Sequence, residues 1–228
     1  MPSLLRRSIA EGVGTFALVF IGVASVASTY YPDAKWGVLG IALAHAFVLS
    51  VMITATMAIS GGHLNPAVSI ALFVARRTDA RTTGAYIVAQ LVGAVIAAFI
   101  VHPLYPVSVM RAAVGGVPKI ANSVHLGQAI TMEAILTFFL VSAVFGTCVN
   151  SEAPKVGGFG VGLVLLFDIL VGGPLTGAAM NPARAFGPAL AAGQWTGHIV
   201  WWIGPILGGI IAALLWEHVL LPPRQRAQ

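Results

Sequence analysis

The stretch SGGHLNPAVS at residues 60–69 returns in altered form within LTGAAMNPARA at residues 175–185. Both copies contain an Asn-Pro-Ala triplet, which comprises Asn65, Pro66 and Ala67 in the first copy and Asn181, Pro182 and Ala183 in the second. Asn is a preferred helix N-cap residue and Pro is favoured at the first helical position, so each triplet predicts the start of a helix. One triplet alone would be typical of a surface helix, but two related copies require a shared role.

The helices that these triplets begin are predicted to be short. The run PAVSIALFVA separates Asn65 from the basic pair Arg76 and Arg77, and the run PARAFGPALAA follows Asn181. At 1.5 Å per residue each run forms a helix of about 15 Å, which is half the thickness of a bilayer core. Neither helix can therefore cross a membrane alone.

The rest of the chain is apolar enough to require a membrane. Its 228 residues are 58% hydrophobic and 8% charged, and the mean hydropathy is +0.92. A helix of about 20 apolar residues spans the hydrocarbon core of a bilayer. Six such windows occur, at about 9–29, 37–59, 83–102, 128–149, 157–173 and 197–221. The sequence thus predicts an all-α integral membrane protein with six transmembrane helices and two re-entrant half-helices.

Three pairs of segments indicate an internal repeat. EGVGTFALV at 11–19 matches EAILTFFLV at 133–141, and GAVIAAFI at 93–100 matches GGIIAALL at 208–215. With the Asn-Pro-Ala segments, the three pairs are offset by 122, 116 and 115 residues. A common offset indicates one duplication rather than chance similarity between apolar helices.

We interpret residues 1–228 as a single channel domain built from two repeats, at about 8–104 and about 128–221. Each repeat holds three spans, so the second is inverted in the membrane, as in many transporters and channels. Inversion makes the two half-helices enter from opposite faces, and their N-termini then meet near the midplane. A helix N-terminus carries about half an elementary positive charge, so this point favours water and repels cations.

The segments before the two Asn residues are expected to be extended. Irregular backbone at this depth is tolerated only against protein or a water-filled cavity, so a polar pore follows. The backbone predicted to line this pore belongs to Gly61, Gly62, His63, Gly177 and Ala179.

These features resemble the aquaporin family, also called the major intrinsic proteins, over nearly the whole chain. The matching residues are both Asn-Pro-Ala triplets, the two Glu-containing segments at 11–19 and 133–141, SGGH at 60–63, Gln90, Arg184 and WWIGP at 201–205. The resemblance implies a right-handed six-helix bundle with two re-entrant half-helices, a homotetramer with one pore in each subunit, and passive conduction.

The resemblance also implies a selectivity filter of four residues, found by counting from the two Asn residues: His45, Ile169, Ala178 and Arg184. Strictly water-selective members usually carry Phe and His at the first two positions, so this set looks like that of the tonoplast intrinsic proteins of plants. A wider filter with one apolar wall is expected to pass water, with ammonia, hydrogen peroxide or urea as further candidates. The alternative for His45 is a core histidine whose hydrogen bonds are satisfied.

Glycerol-conducting members usually carry Asp and a basic residue where this chain has Ala185 and Ala189, which argues against a dedicated glycerol channel. The resemblance suggests that Glu11 and Glu133, at equivalent places in the repeats, accept hydrogen bonds from the re-entrant loops. A proton relay is the alternative for these two carboxylates.

Two further polar residues have no assigned role. Asp168 is rotated by about 100° from Ile169 around its helix, so it is expected to form a hydrogen bond to a neighbouring helix or subunit. His125 lies in the long loop between the third and fourth spans, where contact with the filter is a weaker hypothesis.

The formal charge of +5 is explained by topology rather than by nucleic acid. With the N-terminus inside, three basic residues lie outside, namely Lys35, Arg111 and Lys119. Eight others lie on the cytoplasmic side, as the positive-inside rule requires, namely Arg6, Arg7, Arg76, Arg77, Arg81, Lys155, Arg224 and Arg226. We expect a multi-pass protein of the cell (inner or plasma) membrane, with both termini cytoplasmic and no nucleic-acid partner.

The favoured function is a passive water channel that excludes protons and ions and passes small neutral solutes through a relaxed filter. A facilitator mainly for ammonia, urea, hydrogen peroxide or glycerol is the alternative on the same fold. An ion-coupled secondary transporter would need paired intramembrane charges along one path. No enzyme, metal site or cofactor is indicated, because no acid or base pattern accompanies the single Cys148 and no nucleophile has a base beside it.

Overall fold

Helices form the regular structure of the residues that the computed structural model describes, which are 2–31, 33–34, 36–154 and 156–222. In chain order the α-helices of this part are α1 (Leu4–Ser28), α2 (Gly37–Ser60), α3 (Pro66–Val74), α4 (Ala80–Val101), α5 (Val107–Ala112), α6 (Leu126–Val144), α7 (Phe159–Thr176), α8 (Pro182–Ala192) and α9 (Val200–Leu215). The predicted positions of Lys35, Lys155, Arg224 and Arg226 fall outside the described residues.

Six of these helices are long and apolar enough to cross a membrane: α1, α2, α4, α6, α7 and α9. Short helical turns at His102–Leu104, Phe145–Val149 and Trp216–Leu220 lengthen α4, α6 and α9. The six-span prediction is therefore confirmed. We call the membrane face at which α1 begins the N-terminal face, and the other the opposite face.

The two short helices α3 and α8 begin at the Asn-Pro-Ala triplets, and their lengths are 9 and 11 residues. Asn65 is the N-cap of α3 and its Oδ1 accepts a hydrogen bond of 2.8 Å from the backbone N–H of Ala67. Asn181 caps α8 in the same way, with 3.0 Å to the N–H of Ala183. At 1.5 Å per residue both are half-length helices, as their sequences predict.

The prediction that the segments before the two Asn residues are extended is wrong. Left-handed backbone occurs at Gly61 (φ 96°) and Leu64 (φ 50°) in the first segment, and at Ala178 (φ 45°) and Met180 (φ 53°) in the second. When left-handed and ordinary residues follow each other, consecutive backbone N–H groups turn to the same side and can bind one anion. In both segments that anion is a buried carboxylate.

Glycine and alanine set the closest helix crossings. A Cβ atom on Gly93 of α4 would collide with the carbonyl oxygen of Gly12 on α1, and one on Gly208 of α9 would collide with that of Ala134 on α6. Small residues let helix backbones approach closely in a membrane, where packing replaces the hydrophobic effect. Gly12 and Ala134 are 122 residues apart, and Gly93 and Gly208 are 115 residues apart. These are the offsets of the repeated segments, so the two crossings are equivalent.

Each half-helix packs on a long helix from the other half of the chain. Gly187 of α8 lies so close to α4 that an added Cβ atom would collide with the Ala94 carbonyl oxygen. A Cβ atom on Gly209 of α9 would lie 3.4 Å from the carbonyl oxygen of Ala67 on α3. The half-helices are thus held inside the bundle, where they position the site.

We predict that Gly93→Ala destabilises the folded chain, because the added methyl group must push α1 away from α4. Overpacking of this kind costs about 1–3 kcal/mol. Gly84→Ala is the matched control on the same helix, since an added Cβ atom there meets nothing within 4 Å. Thermal unfolding in detergent, followed by size-exclusion chromatography, should show a lower midpoint for Gly93→Ala only. Equal unfolding midpoints for the two variants would contradict the close approach of α1 and α4.

Candidate pore and selectivity filter

Glu11 of α1 holds the first re-entrant segment. Its side chain is fully buried and accepts hydrogen bonds from the N–H groups of His63 (3.0 Å) and Leu64 (2.6 Å). The Ser60 hydroxyl (2.6 Å) and the Gln90 amide (2.9 Å) donate to the same carboxylate. Four donors therefore surround one charge, and the backbone N–H groups that left α2 find partners within the membrane.

Glu133 of α6 holds the second segment in the same way. It is fully buried and accepts hydrogen bonds from the N–H groups of Ala179 (3.0 Å) and Met180 (2.8 Å) and from the Thr176 hydroxyl (2.6 Å). The residue that corresponds to Gln90 at the offset of 115 is Pro205, which has no side-chain donor. The two halves thus share three hydrogen bonds and differ in the fourth.

Two aromatic residues close the ends of the helices that precede the segments. The Tyr86 hydroxyl donates to the carbonyl oxygen of Ser60 (2.7 Å), and Trp201 Nε1–H donates to that of Thr176 (3.0 Å). Tyr86 and Trp201 are 115 residues apart, and Ser60 and Thr176 are 116 residues apart, so the two pairs are equivalent in the repeat. Carbonyl groups at a helix C-terminus lack partners within the helix, and here the aromatic side chains supply them.

The two Asn residues join the half-helices to each other. Asn65 Nδ2 donates to the carbonyl oxygen of Met180, and Asn181 Nδ2 donates to that of Leu64, each at 2.9 Å. The N-termini of α3 and α8 therefore meet inside the bundle. Each side-chain amide has two N–H groups, so one remains on each Asn after this bond.

A narrow cavity of about 20 Å³ passes beside the two Asn residues. Such a volume is enough for a water molecule but not for a wide channel. Its polar lining residues include His63, Asn65, Asn181 and Arg184. Its apolar lining residues include Leu18, Leu49, Ile53, Val68, Leu140, Val144, Val161 and Leu165.

A wider vestibule of about 230 Å³ adjoins the narrow cavity. Ile169 and Lys119 are among its lining residues. His45 and Arg184 line both spaces, so they mark the constriction between them. Ala178 lies on the narrow side of this constriction. All four predicted filter residues therefore line one or both of these adjoining cavities, and each is less than one tenth exposed.

The orientation of His45 and Arg184 is fixed by backbone carbonyls. His45 Nδ1–H donates to the carbonyl oxygen of Ile41 (2.8 Å), which leaves Nε2 as the free ring nitrogen. A Cβ atom on Gly22 of α1 would be 2.5 Å from that Nε2, so only glycine leaves room for the ring. Arg184 Nη1 donates to the carbonyl oxygen of Gly116 (3.0 Å), and the rest of the guanidinium keeps its other donors.

Not every predicted pore residue lies on the pore. His63 and Ala179 line the narrow cavity and Gly177 lines the vestibule. Gly62 instead faces α2, since its Cβ position lies 3.1 Å from the carbonyl oxygen of Ile53. Neither Gly61 nor Gly62 is a lining residue of these two cavities, because both complete the tight turn that leaves α2.

The loop between α4 and α6 differs from expectation. His125 is exposed and forms the N-cap of α6, where its N–H donates to Gln128 Oε1 (2.9 Å). The residues of this loop that reach the vestibule include Gly116 and Lys119. The hypothesis that His125 contacts the filter is therefore wrong, because the helix start holds it at the loop's far end.

Asp168 also departs from expectation. Its side chain is 1% exposed, yet neither carboxylate oxygen has a hydrogen-bond partner among the described residues. The predicted bond to a neighbouring helix is not formed within that part of the chain. Its burial prevents contact with another subunit.

The sequence reasoning assigned no role to several residues that support the site, namely Ser60, Ser69, Tyr86, Thr176 and Trp201. Ser69 links His63, which lines the narrow cavity, to the buried network, since it bonds to His63 Nδ1 (3.0 Å) and accepts from Gln90 Nε2 (3.0 Å). The repeat offset offered a signal for the two aromatic residues, since equivalent positions both carry a large ring with a polar atom.

Two half-helices meet inside a six-helix bundle, beside a narrow cavity that polar and apolar residues line. This arrangement defines a membrane channel. The family model of the major intrinsic proteins matches residues 1–216. The chain belongs to the major intrinsic protein family, the family of the aquaporins, whose members are channels and not enzymes.

The relatives include aquaporin TIP4-4 of Zea mays, which is 40% identical over 95% of this chain and 87% of its own. Aquaporin TIP2-1 of Arabidopsis thaliana is 37% identical over 95% of this chain and 88% of its own. Among solved structures, the aquaglyceroporin from Plasmodium falciparum superposes with a TM-score of 0.83 at 26% identity, covering 96% of this chain and 97% of that one.

We predict that Ala178→Cys, made in a Cys148→Ser background, renders conduction sensitive to mercury. Position 178 lines the narrow cavity, where a bound metal ion would fill a space of about 20 Å³. Osmotic shrinkage of proteoliposomes, with and without mercuric chloride, measures the block. The unmodified chain and Cys148→Ser should be blocked only weakly; strong block of the unmodified chain would place Cys148 in the conducting path.

Proposed function

We propose that this chain is a passive water channel that excludes protons and ions and admits small neutral solutes through a relaxed filter. The observation that carries the proposal is the pair of reciprocal bonds between Asn65 and Met180 and between Asn181 and Leu64. These bonds hold two helix N-termini against one narrow cavity, so that two sets of N–H donors face the same point.

Water crosses this point as an acceptor. The remaining side-chain N–H groups of Asn65 and Asn181 donate to the oxygen of a passing water molecule, whose own protons then point away in both directions. The partial positive charges of the two helix N-termini raise the energy of a hydronium or metal ion at the same place. The apolar lining residues offer no hydrogen-bond partner to a passing water molecule.

The filter decides the solute range. His45 and Arg184 supply polar atoms at the constriction, while Ile169 and Ala178 supply an apolar face and a small residue. This combination favours water and compact polar solutes such as ammonia, hydrogen peroxide and urea. The named relatives are aquaporins and the solved structure is an aquaglyceroporin, which makes a facilitator for glycerol and similar solutes the second candidate.

An ion-coupled transporter is less well supported. Its intramembrane carboxylates would have to accept and release ions along the path, whereas Glu11 and Glu133 are occupied by backbone N–H groups of the re-entrant segments. Release of either carboxylate would leave those N–H groups without partners in hydrocarbon, at a cost of several kcal/mol each. The same argument disfavours a proton relay.

For the assembly, we propose a homotetramer in the lipid bilayer, each chain being one channel domain of two inverted repeats with its own pore. The basic residues of the N-terminal face include Arg6, Arg7, Arg77 and Arg81, which supports cytoplasmic termini. We further propose that the protein is located in the cell (inner or plasma) membrane. Native mass spectrometry tests the tetramer, and labelling of an Arg111→Cys variant from one side of the cell tests the orientation.

Stopped-flow light scattering on proteoliposomes tests the function. Osmotic water flux should exceed that of empty liposomes and show a low activation energy, and a proton gradient should not discharge through the protein. Urea, ammonia and glycerol are measured in the same vesicles. Water flux at the level of bare lipid, or a proton current, would overturn the proposal; fast glycerol with slow water would favour the second candidate.

We predict that His45→Phe combined with Ile169→His narrows the solute range and retains water conduction. The larger Phe ring and the polar His ring reduce the opening and remove its apolar wall. Flux of urea or ammonia should fall relative to water in the assay above. Phe16→His with Phe20→Leu, two substitutions on α1 outside the lining residues of both cavities, serves as the control. Unaltered solute flux in the double filter variant would show that these residues do not form the filter.

A further inference from the structure

A groove on the outside of the bundle lies between α1 and α4, away from the pore. Its volume is about 460 Å³. Its lining is apolar apart from one hydroxyl and consists of Leu5, Ser8, Ile9, Gly12, Val13, Phe16, Ala89, Val92, Gly93 and Ile96. We call it the α1–α4 groove.

The close crossing of α1 and α4 shapes this groove. Gly12, Ala89 and Gly93 form its floor, where side chains are a methyl group or absent. Larger apolar side chains, such as Ile9 and Val92, stand on either side and are more than half exposed. The result is a slot with an apolar floor and apolar walls, which is open to the surrounding hydrocarbon.

The length of the groove matches one leaflet of a bilayer. From Leu5 to Phe16 the rise along α1 is about 16 Å at 1.5 Å per residue, and half of a bilayer core measures about 15 Å. Leu5 lies in the first turn of α1. The groove therefore begins at the N-terminal face and ends near the midplane, as one extended acyl chain does.

Two arginines stand at the end of the groove on the N-terminal face. Arg6 lies seven residues before Val13 and Arg81 lies eleven before Val92, so each arginine shares a helix face with a residue of the groove wall. Both are exposed, and no hydrogen bond or ion pair of either side chain occurs within the described residues. They are therefore available to an anion at headgroup depth.

Two acidic residues near this end of the groove, Asp79 and Glu217, have partners of their own. Asp79, two residues before Arg81, accepts hydrogen bonds from the Thr82 N–H (2.9 Å) and hydroxyl (2.7 Å), and these bonds lower the pKa of its carboxyl group. Glu217 pairs with Arg77 at 2.8 Å. The lowered pKa keeps Asp79 ionised, but Arg6, Arg7 and Arg81 outnumber its carboxylate at the head of the α1–α4 groove. The net charge there is positive, which fits a negatively charged headgroup.

We propose that the α1–α4 groove binds an anionic phospholipid of the leaflet on the N-terminal face. One acyl chain lies along the floor of Gly12, Ala89 and Gly93, and the phosphate and anionic headgroup contact Arg6 and Arg81. A basic residue close to an anionic lipid surface contributes a preference of about fivefold, so the two arginines together distinguish an anionic from a zwitterionic lipid of the same chain length.

The test is native mass spectrometry of the full-length, delipidated chain, titrated with dioleoyl phosphatidylglycerol or dioleoyl phosphatidylcholine. The unmodified chain should bind one phosphatidylglycerol per chain in preference to phosphatidylcholine. Arg6→Gln with Arg81→Gln should abolish the preference, with a loss of about fivefold for each arginine. Arg111→Gln, which removes one positive charge at an exposed arginine of α5, should keep it.

A second pair of variants tests the acyl slot. Ala89→Phe places a ring on the floor of the groove and should weaken binding of both lipids, whereas Val88→Phe, on the adjacent exposed position, should not. Ser8→Phe replaces the first variant if Ala89→Phe fails to fold, as judged by size-exclusion chromatography in detergent.

Three outcomes would overturn the proposal. The two lipids bind equally well to the unmodified chain; or the double arginine variant keeps the preference; or Ala89→Phe leaves lipid binding intact and instead changes the number of chains in the assembly. The last result would assign the groove to a second copy of this chain. None of these readings depends on water conduction, so the proposed function is judged separately.

Discussion

Backbone that leaves a helix inside hydrocarbon must find hydrogen-bond partners in the protein, and two buried carboxylates meet this requirement here. An unpaired N–H group in a bilayer costs several kcal/mol. Glu11 accepts from the N–H groups of His63 and Leu64 in the first re-entrant segment, and Glu133 accepts from those of Ala179 and Met180 in the second. A buried charge is itself costly, but the multiple charge-assisted bonds that each carboxylate receives offset that cost.

The pore follows from this anchoring. Once the carboxylates fix the two segments, Asn65 and Asn181 can each cap a half-helix with Oδ1 and bind the other segment with Nδ2. The same two side chains therefore start the half-helices, join them and face the narrow cavity. Close packing by small residues such as Gly187, against α4, keeps the half-helices from moving apart.

Local patterns in the sequence were sufficient for the long helices, the half-helices and their N-caps. Hydropathy depends on composition alone, and an N-cap depends on a few adjacent residues, so both are readable without a structure. The left-handed backbone at Leu64 and Met180 was not readable, because these residue types rarely adopt it and a carboxylate distant in sequence imposes it. The exposed position of His125 likewise depends on how its loop packs.

The sequence by itself determined a membrane protein of six spans with two half-helices, since chain length, apolarity and the two Asn-Pro-Ala triplets leave few other arrangements. Only the tertiary structure decided which atoms meet. His45, Ile169, Ala178 and Arg184 are separated by up to 139 residues along the chain, and they line two adjoining cavities because four different elements converge there. Buried networks such as that of Glu11 and Gln90 are settled by packing across the bundle, which local sequence does not encode.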